Sequence, residues 1–317
     1  MGPAGAREPV VSGLGSPSHA GSEARAGGHP CVSTGPATVR RGRSTGALVV
    51  KLGGRALEAP GALSECAAAL REAGSAGPSA RATLLVHGGG AEVTAWCARA
   101  GLAARFHDGL RVTDAATLEI AAAVLAGLAN KRLVAVLRAA GVDAVGLSAL
   151  DGGIVRARRH AEAETLGEVG EIAAVDRTLL DELLAAGRVP VLASLGDDGE
   201  GALLNLNADD VAAAVAAALP AGELVLLSDT PGLILAGEPV RALEASALDA
   251  VLARADVTGG MRPKLRAAAL ALAAGVHRVH IAAWQGTGTL AALLEGRAHA
   301  TTVHASRVRF QPEESHA

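Results

Sequence analysis

Ala47-Leu48-Val49-Val50-Lys51-Leu52-Gly53-Gly54 reads as a short apolar strand that ends in a glycine pair. A segment with Leu63, Cys66, Ala67 and Leu70 at helical spacing follows. A second apolar run, Thr83-Leu84-Leu85-Val86-His87, then ends in Gly88-Gly89-Gly90, and a further helix is predicted through Trp96 and Cys97. Strand, glycine turn and helix, twice over, is the pattern of parallel winding. The expected fold class is α/β, an open parallel-rich sheet sandwiched by helices. Both glycine turns then lie at the carboxyl ends of strands, where open parallel sheets bind ligands.

Outward from this core, Asp114 is a reasonable N-cap for a long helix over about 115–139. Strands are predicted at 144–147 and 154–158, the second carrying Arg156 and Arg158, with Arg159 beside it, on a half-exposed hairpin arm. A helix over 175–186 and a buried strand over 189–194 follow. Turn residues 196–201 then precede Leu204-Asn205-Leu206-Asn207-Ala208-Asp209-Asp210, which opens a helix over 211–219. After Pro220 the pattern restarts with a buried strand over 223–228 and a turn, Ser228-Asp229-Thr230-Pro231-Gly232. A helix over 245–254, a long alanine-rich helix from about Lys264 to 274, a strand over 278–282 and a helix over 289–294 close the domain. The expected organisation is a disordered tail over 1–45, two lobes over 46–221 and 222–305, and a C-terminal tail over 306–317.

Composition narrows what such a chain does. Hydrophobic residues make up 50% and charged residues 19% of the 317, enough to bury a large core. Aromatic residues are only 1%, with no Tyr, so the core is Ala, Leu and Val, and a stacking platform for single-stranded nucleic acid is lacking. A net charge of −3 exerts no general pull toward nucleic acid or anionic membrane. No apolar run approaches the roughly 20 residues that span a bilayer, so neither partner is expected. Cys31, Cys66 and Cys97 stand far apart, and the ten histidines lack metal-ligand spacing. That pattern fits a reducing cytoplasm and argues against a structural metal.

The glycine turns match neither the dinucleotide nor the Walker pattern. Each alone is an ordinary tight turn. Together, ending strands and starting helices, they aim backbone N–H groups into one crevice and favour an anionic ligand. Lysine is rare: Lys51, Lys131 and Lys264 stand among 29 Lys plus Arg. In a chain that prefers arginine, a lysine marks a site wanting a compact point charge. Lys51 ends a strand and Lys264 follows Gly259-Gly260, whereas Lys131, beside Arg132, reads as a solvated surface charge. Arg111, in a turn before a helix, is either a surface residue or a bidentate clamp on a carboxylate. His87 reads as a packing or hydrogen-bonding residue rather than a base. Asn207 and Asp209 are N-cap or first-turn candidates, and two amides and two carboxylates crowd that turn.

Taken in order, these motifs resemble those of the amino acid kinases. The carriers are Lys51-Leu52-Gly53-Gly54, His87-Gly88-Gly89-Gly90, Gly109-Leu110-Arg111-Val112-Thr113-Asp114, Asn130-Lys131 and Val145-Gly146-Leu147-Ser148. They continue with Asn205-Leu206-Asn207-Ala208-Asp209, Leu227-Ser228-Asp229-Thr230-Pro231-Gly232 and Gly259-Gly260-Met261-Arg262-Pro263-Lys264. The resemblance, over about residues 49–303, implies the amino acid kinase fold, with an acetylglutamate-binding lobe over 46–221 and a nucleotide-binding lobe over 222–305. It implies ATP-dependent phosphorylation of the side-chain carboxylate of N-acetyl-L-glutamate, the second step of arginine biosynthesis, with Mg²⁺ accompanying ATP. In that scheme Lys51 and Lys264 stabilise the transferring phosphoryl group, and Asp209 holds both lysines. Gly53 and Gly54 donate N–H groups to the phosphates, and Gly89, Gly90, Arg111 and Asn205 bind acetylglutamate. Ser228, Asp229, Thr230, Pro231, Gly232, Leu233, Ile234, Asp256, Val257 and Thr258 line the nucleotide site.

The chemistry is consistent with such parts. The acceptor carboxylate has a pKa near ~4.3 and is already ionised at neutral pH, so no general base is required. The chain departs from the family at His299-Ala300-Thr301-Thr302-Val303, where Gly-Thr is common. Its tail shows no amphipathic helix of the kind that arginine-regulated members carry, so a homodimer without strong arginine inhibition is expected. Three alternatives stay open: a kinase for carrier-protein-linked aminoadipate or glutamate, a non-catalytic arginine- or acetylglutamate-sensing domain, and a nicotinamide-dependent oxidoreductase.

Overall fold

The computed structural model describes residues 46–54, 57, 61–74, 81–219 and 221–305. The expected tails at 1–45 and 306–317, Cys31 and Pro220 lie outside them. The chain begins with β1 (Leu48–Leu52), α1 (Ala62–Gly74), β2 (Thr83–His87), α2 (Gly90–Arg99), and a ribbon of β3 (Phe106–His107) and β4 (Leu110–Arg111). The long helix α3 (Ala115–Ala139), β5 (Ala144–Ser148), β6 (Val155–Arg159), β7 (Val169–Val175) and α4 (Thr178–Ala185) come next. β8 (Val189–Ala193), β9 (Leu195–Asp197), β10 (Leu203–Leu206) and α5 (Ala208–Ala218) follow. β11 (Glu223–Ser228), the hairpin β12 (Leu233–Leu235) and β13 (Glu238–Val240), β14 (Ala242–Glu244) and α6 (Leu248–Leu252) lead to α7 (Met261–Ala273). The described chain closes with β15 (Arg278–Ala283), α8 (Thr289–Leu294) and β16 (Thr301–His304).

Eight strands form one sheet, ordered β14-β16-β15-β11-β1-β2-β8-β5. Every neighbouring pair is parallel except β15 and β16. Helices cover both faces, which is why the central strands are apolar throughout rather than alternating. Successive residues enter two cores: Val49, Leu224 and Leu226 pack with α5 and α7, whereas Leu48, Val50, Val225 and Leu227 pack with α1 and α8. β1 is where the winding reverses, with β2 on one side and β11 on the other. A crevice opens at the carboxyl ends of strands at such a point, and Lys51 and Ser228 stand there.

Several elements differ from expectation. The helix predicted over 175–186 begins only at Thr178, because Asp176 Oδ1 accepts from the Thr178 N–H at 2.9 Å and its hydroxyl at 2.6 Å. The residues before it form β7, which pairs with β6 and β10 in a small closed barrel completed by β9. Gly170 and Gly196 belong inside that barrel: a Cβ on Gly196 would come within 2.7 Å of Leu206. The strand predicted over 154–158 is β6, one residue later, and its Arg158 and Arg159 pair with Glu171 and Glu168 on an exposed face. Leu204 to Leu206 extend as β10 before the helix begins. The helix predicted over 245–254 is a 3₁₀ turn, Ala245–Ala247, followed by α6.

Helix α3 runs its full predicted length but passes through a π-helical segment, Ala123–Ala129. At 25 residues with a mean hydropathy of 1.7 over its most apolar stretch, it is long and apolar enough to cross a membrane by length and composition. The expectation that no segment approaches that length is corrected here. It counted unbroken apolar runs, and Glu119 and Asn130 interrupt this one.

Candidate active site

Asn207 caps α5, its side-chain oxygen accepting from the N–H groups of Asp209 (2.8 Å) and Asp210 (3.2 Å). This cap fixes the first turn and with it the direction of the Asp209 carboxylate. Lys51, from the end of β1, forms an ion pair with Asp209 Oδ1 at 2.9 Å. Lys264, from the first turn of α7, donates to Oδ2 at 3.1 Å. All three side chains are buried. Burial alone would raise the Asp209 carboxyl, but the two ammonium charges outweigh it and hold its pKa below the usual carboxylate range. Alanine-rich facing surfaces let α5 and α7 approach closely enough for this bridge, with Val211, Ala212, Val215, Leu265 and Ala268 in one shared core.

Beside the bridge lies a cavity lined by Gly53, Gly54, Gly88 to Gly90, Phe106, Arg111, Ser194 and Asn205 to Asp209, with Val93, Ala121 and Leu125 forming an apolar part of its wall. Arg111 is rigidly held. Its Nη2 donates to the Gly90 carbonyl and to Thr94 Oγ1, both at 2.7 Å, and its guanidinium carbon sits 4.8 Å from the Phe106 ring centroid. Its Nη1 is buried without a partner. A buried, unpaired guanidinium nitrogen at a cavity wall is equipped to receive a carboxylate. Asn205 Nδ2 donates to Thr113 Oγ1 at 3.0 Å, and Thr113 in turn donates to the Arg111 carbonyl at 2.8 Å, so the two cavity residues share one brace.

A second crevice is lined by Thr230 to Ile234, Asp256 to Thr258 and Met261. Its walls are fixed by hydrogen bonds. Leu233 N–H donates to Thr301 Oγ1 (2.7 Å), Ala236 N–H to Asp256 Oδ2 (3.1 Å), and Arg262 Nε to the Val257 carbonyl (2.7 Å). Ser228 does not line it but shares a 2.9 Å hydroxyl contact with Thr230. Asp229 packs against Gly54 so closely that any Cβ there would overlap its carboxylate, and Gly54 has φ +53°. Glycine is required at that position for both reasons.

Of the residues singled out in the sequence, Lys51, Gly53, Gly54, Gly89, Gly90, Arg111, Asn205 and Asp209 meet in the first cavity. Thr230 to Ile234 and Asp256 to Thr258 meet in the second. Lys264 joins through Asp209 rather than the cavity wall. Lys131 is exposed but not free, donating to Asn130 Oδ1 (3.1 Å) and the Gly146 carbonyl (3.0 Å). Sequence reasoning missed Thr94 and Phe106. Thr94 lies one helical turn beyond Gly90, a spacing that puts both on one face, and that was the available signal.

A family model described as the amino acid kinase family matches residues 46–283. An acetylglutamate kinase of Methanopyrus kandleri is 44% identical over 232 residues, covering 68% of this chain and 89% of that protein. One from Chloroflexus aurantiacus is 45% identical over 236 residues, covering 74% and 90%. Among solved structures, an N-acetylglutamate synthase of Neisseria gonorrhoeae complexed with coenzyme A and N-acetyl-glutamate superposes with TM-score 0.71 at 28% identity, over 83% of this chain and 60% of that one. A carbamate kinase of Giardia lamblia bound to AMP-PNP shares the fold with TM-score 0.60 at 15% identity.

Proposed function

Because the chain belongs to the amino acid kinase family, we propose that it transfers the γ-phosphoryl group of MgATP to the side-chain carboxylate of N-acetyl-L-glutamate, as its acetylglutamate kinase relatives are named for doing. The observation that carries this reading is the Lys51–Asp209–Lys264 bridge beside a cavity in which Arg111 Nη1 has no partner. A carboxylate oxygen attacks the γ-phosphorus, the bond from phosphorus to the β-phosphate oxygen breaks, and ADP leaves with that electron pair. No proton need move. The obstacle is bringing anions together, and the residues answer it by charge and position.

In this reading Arg111 and Asn205 hold acetylglutamate with the N–H groups of Gly89 and Gly90. Gly53 and Gly54 receive phosphate oxygens, and the crevice of Thr230 to Ile234 with Asp256 to Thr258 takes the nucleoside, with Ser228 and Asp229 beside it. Lys51 and Lys264 neutralise charge on the transferring group. Asp209 keeps them apart and directed without itself accepting a proton. Among the described residues no three His, Cys, Asp or Glu side chains converge to hold a metal. Mg²⁺ would accompany ATP, held by its phosphate oxygens and water.

Both substrates come from solution, with no nucleic acid or membrane involved. Asn130 pins α3 to β5 and β8 through the Leu147 and Val191 carbonyls, which supports its place in a soluble fold. The buried free thiols of Cys66 and Cys97 are consistent with a cytoplasmic setting. The exposed apolar face of α3, with Ala123, Gly127 and Leu128, supports a homodimer. A non-catalytic sensing domain would have no use for two lysines buried on one carboxylate.

The test is incubation with MgATP and N-acetyl-L-glutamate, with hydroxylamine to trap the acyl phosphate. Hydroxamate is expected, and Lys51→Ala and Lys264→Ala should each cut turnover by about 100-fold or more while the protein stays folded. Hydroxamate from a carrier-linked substrate but none from free acetylglutamate would end this reading.

A further inference from the structure

His87 is fully buried at the end of β2, one residue before the glycine turn, and the phosphoryl-transfer scheme gives it no task. The hydrogen-bond network around it selects one tautomer. Asn130, also fully buried, directs Nδ2 at the Leu147 carbonyl (3.1 Å), the Val191 carbonyl (2.9 Å) and His87 Nε2 (3.0 Å). Two carbonyls can only accept, so the atom facing them is the amide nitrogen. The opposite atom, Oδ1, accepts from Lys131 Nζ at 3.1 Å, which excludes the flipped amide independently. Three acceptors share the two hydrogens of Nδ2, and an amide nitrogen cannot accept from an Nε2–H, so His87 Nε2 carries no proton. The ring proton is on Nδ1, which lies 2.9 Å from the Gly88 carbonyl and donates to it.

The consequence falls on the cavity. In a trans peptide the carbonyl and the following N–H point in opposite directions. Fastening the Gly88 carbonyl to the imidazole therefore turns the Gly89 N–H the other way. Gly88, Gly89 and Gly90 all line the cavity, and among the described residues neither the Gly89 nor the Gly90 N–H meets a backbone acceptor. We propose that His87, held as its Nδ1–H tautomer by Asn130, is a positioning residue that sets the Gly88–Gly89 peptide so that its N–H faces the acceptor substrate. Lys131 is the outer end of this chain, since it fixes the amide that fixes the ring. The inference rests on the acetylglutamate reading for the identity of the ligand, but the tautomer does not.

Two substitutions separate the bonds. An asparagine amide overlays Nδ1, so His87→Asn keeps the donor to Gly88 and gives up the contact with Asn130. A glutamine amide overlays Nε2, so His87→Gln does the reverse. Loss of one neutral hydrogen bond that orients a ligand-facing N–H corresponds to about a tenfold effect. His87→Gln is expected to raise KM for acetylglutamate by about that factor with KM for MgATP unchanged, while His87→Asn stays near the wild-type value. Equal rises in both variants, or a larger rise in His87→Asn, would overturn the proposal. If neither variant folds, ¹⁵N-detected NMR of the wild-type ring decides: a protonated Nδ1 and bare Nε2 support it, and a protonated Nε2 ends it. A wild-type protein that forms no hydroxamate from acetylglutamate would instead defeat the functional reading and leave the tautomer measurement standing.

Discussion

Asp209 is a buried carboxylate between two buried ammonium groups, and the three are stable only as a set. Asp209→Asn keeps the shape and removes the charge, leaving Lys51 and Lys264 uncompensated. Breaking a buried pair in this way costs about 3–5 kcal/mol, so urea denaturation should show a loss of that order, together with a fall in turnover. An unchanged unfolding midpoint would mean that the lysines find other partners. Thr94 offers a gentler test. Thr94→Val preserves shape but removes the oxygen that accepts from Arg111 Nη2 at 2.7 Å. KM for acetylglutamate should rise about three- to tenfold, the worth of one charge-assisted hydrogen bond partly replaced by solvent, with kcat nearly constant. Thr94→Ser should restore it. A fall in kcat alone would place Thr94 elsewhere in the reaction.

At the scale of elements, β2 ends on an imidazole that burial lowers from 6.5 to about 4, with the nearby Lys131 charge acting in the same direction and the Gly88 hydrogen bond against it. Above about pH 6.5 both folded and unfolded chains hold His87 neutral, and its contribution is fully present. Between 6.5 and about 4 the unfolded chain binds the proton first, so stability falls with pH, by on the order of 3 kcal/mol in total. Unfolding measured at pH 7 and pH 4.5 should therefore show a smaller acid loss in His87→Asn than in the wild type. Equal losses would show that other groups carry the effect. Legibility also divides by element. β1, β2 and β11 were readable because a strand buried on both faces is an unbroken apolar run between turns. The barrel strands β7, β9 and β10 were not, because β9 and β10 have only three and four residues and Gly170 in β7 and Gly196 in β9 break the alternation while filling the barrel. In the site, Lys51, Lys264 and Asp209 stood out by scarcity and by position at turns. Phe106, Thr94 and Asn130 act by supporting another residue, and their partners lie on other elements, so a motif or a helical spacing could single out Asn130 or Thr94 without showing what each supports.

Across the whole molecule, one sheet carries both the cavity and the crevice, and α3 crosses the cavity side of it. Its exposed face presents Gly127 and Leu128, the latter 38% exposed. If this face joins two copies, Gly127→Arg should convert dimers to monomers in light scattering with little change in helix content. Wild-type monomers at micromolar concentration would refute the dimer. The same helix turns a second side, Ala121 and Leu125, to the cavity, and a third, Asn130, to the strands behind His87. An α-helix advances about 100° per residue, whereas a π-helical turn holds more residues. The Ala123–Ala129 segment thus acts as a phase shifter. It delays the rotation between Leu125 and Asn130 so that a wall for the ligand, a clamp for the glycine turn and an outward surface can be read from one continuous rod, each at its own angle.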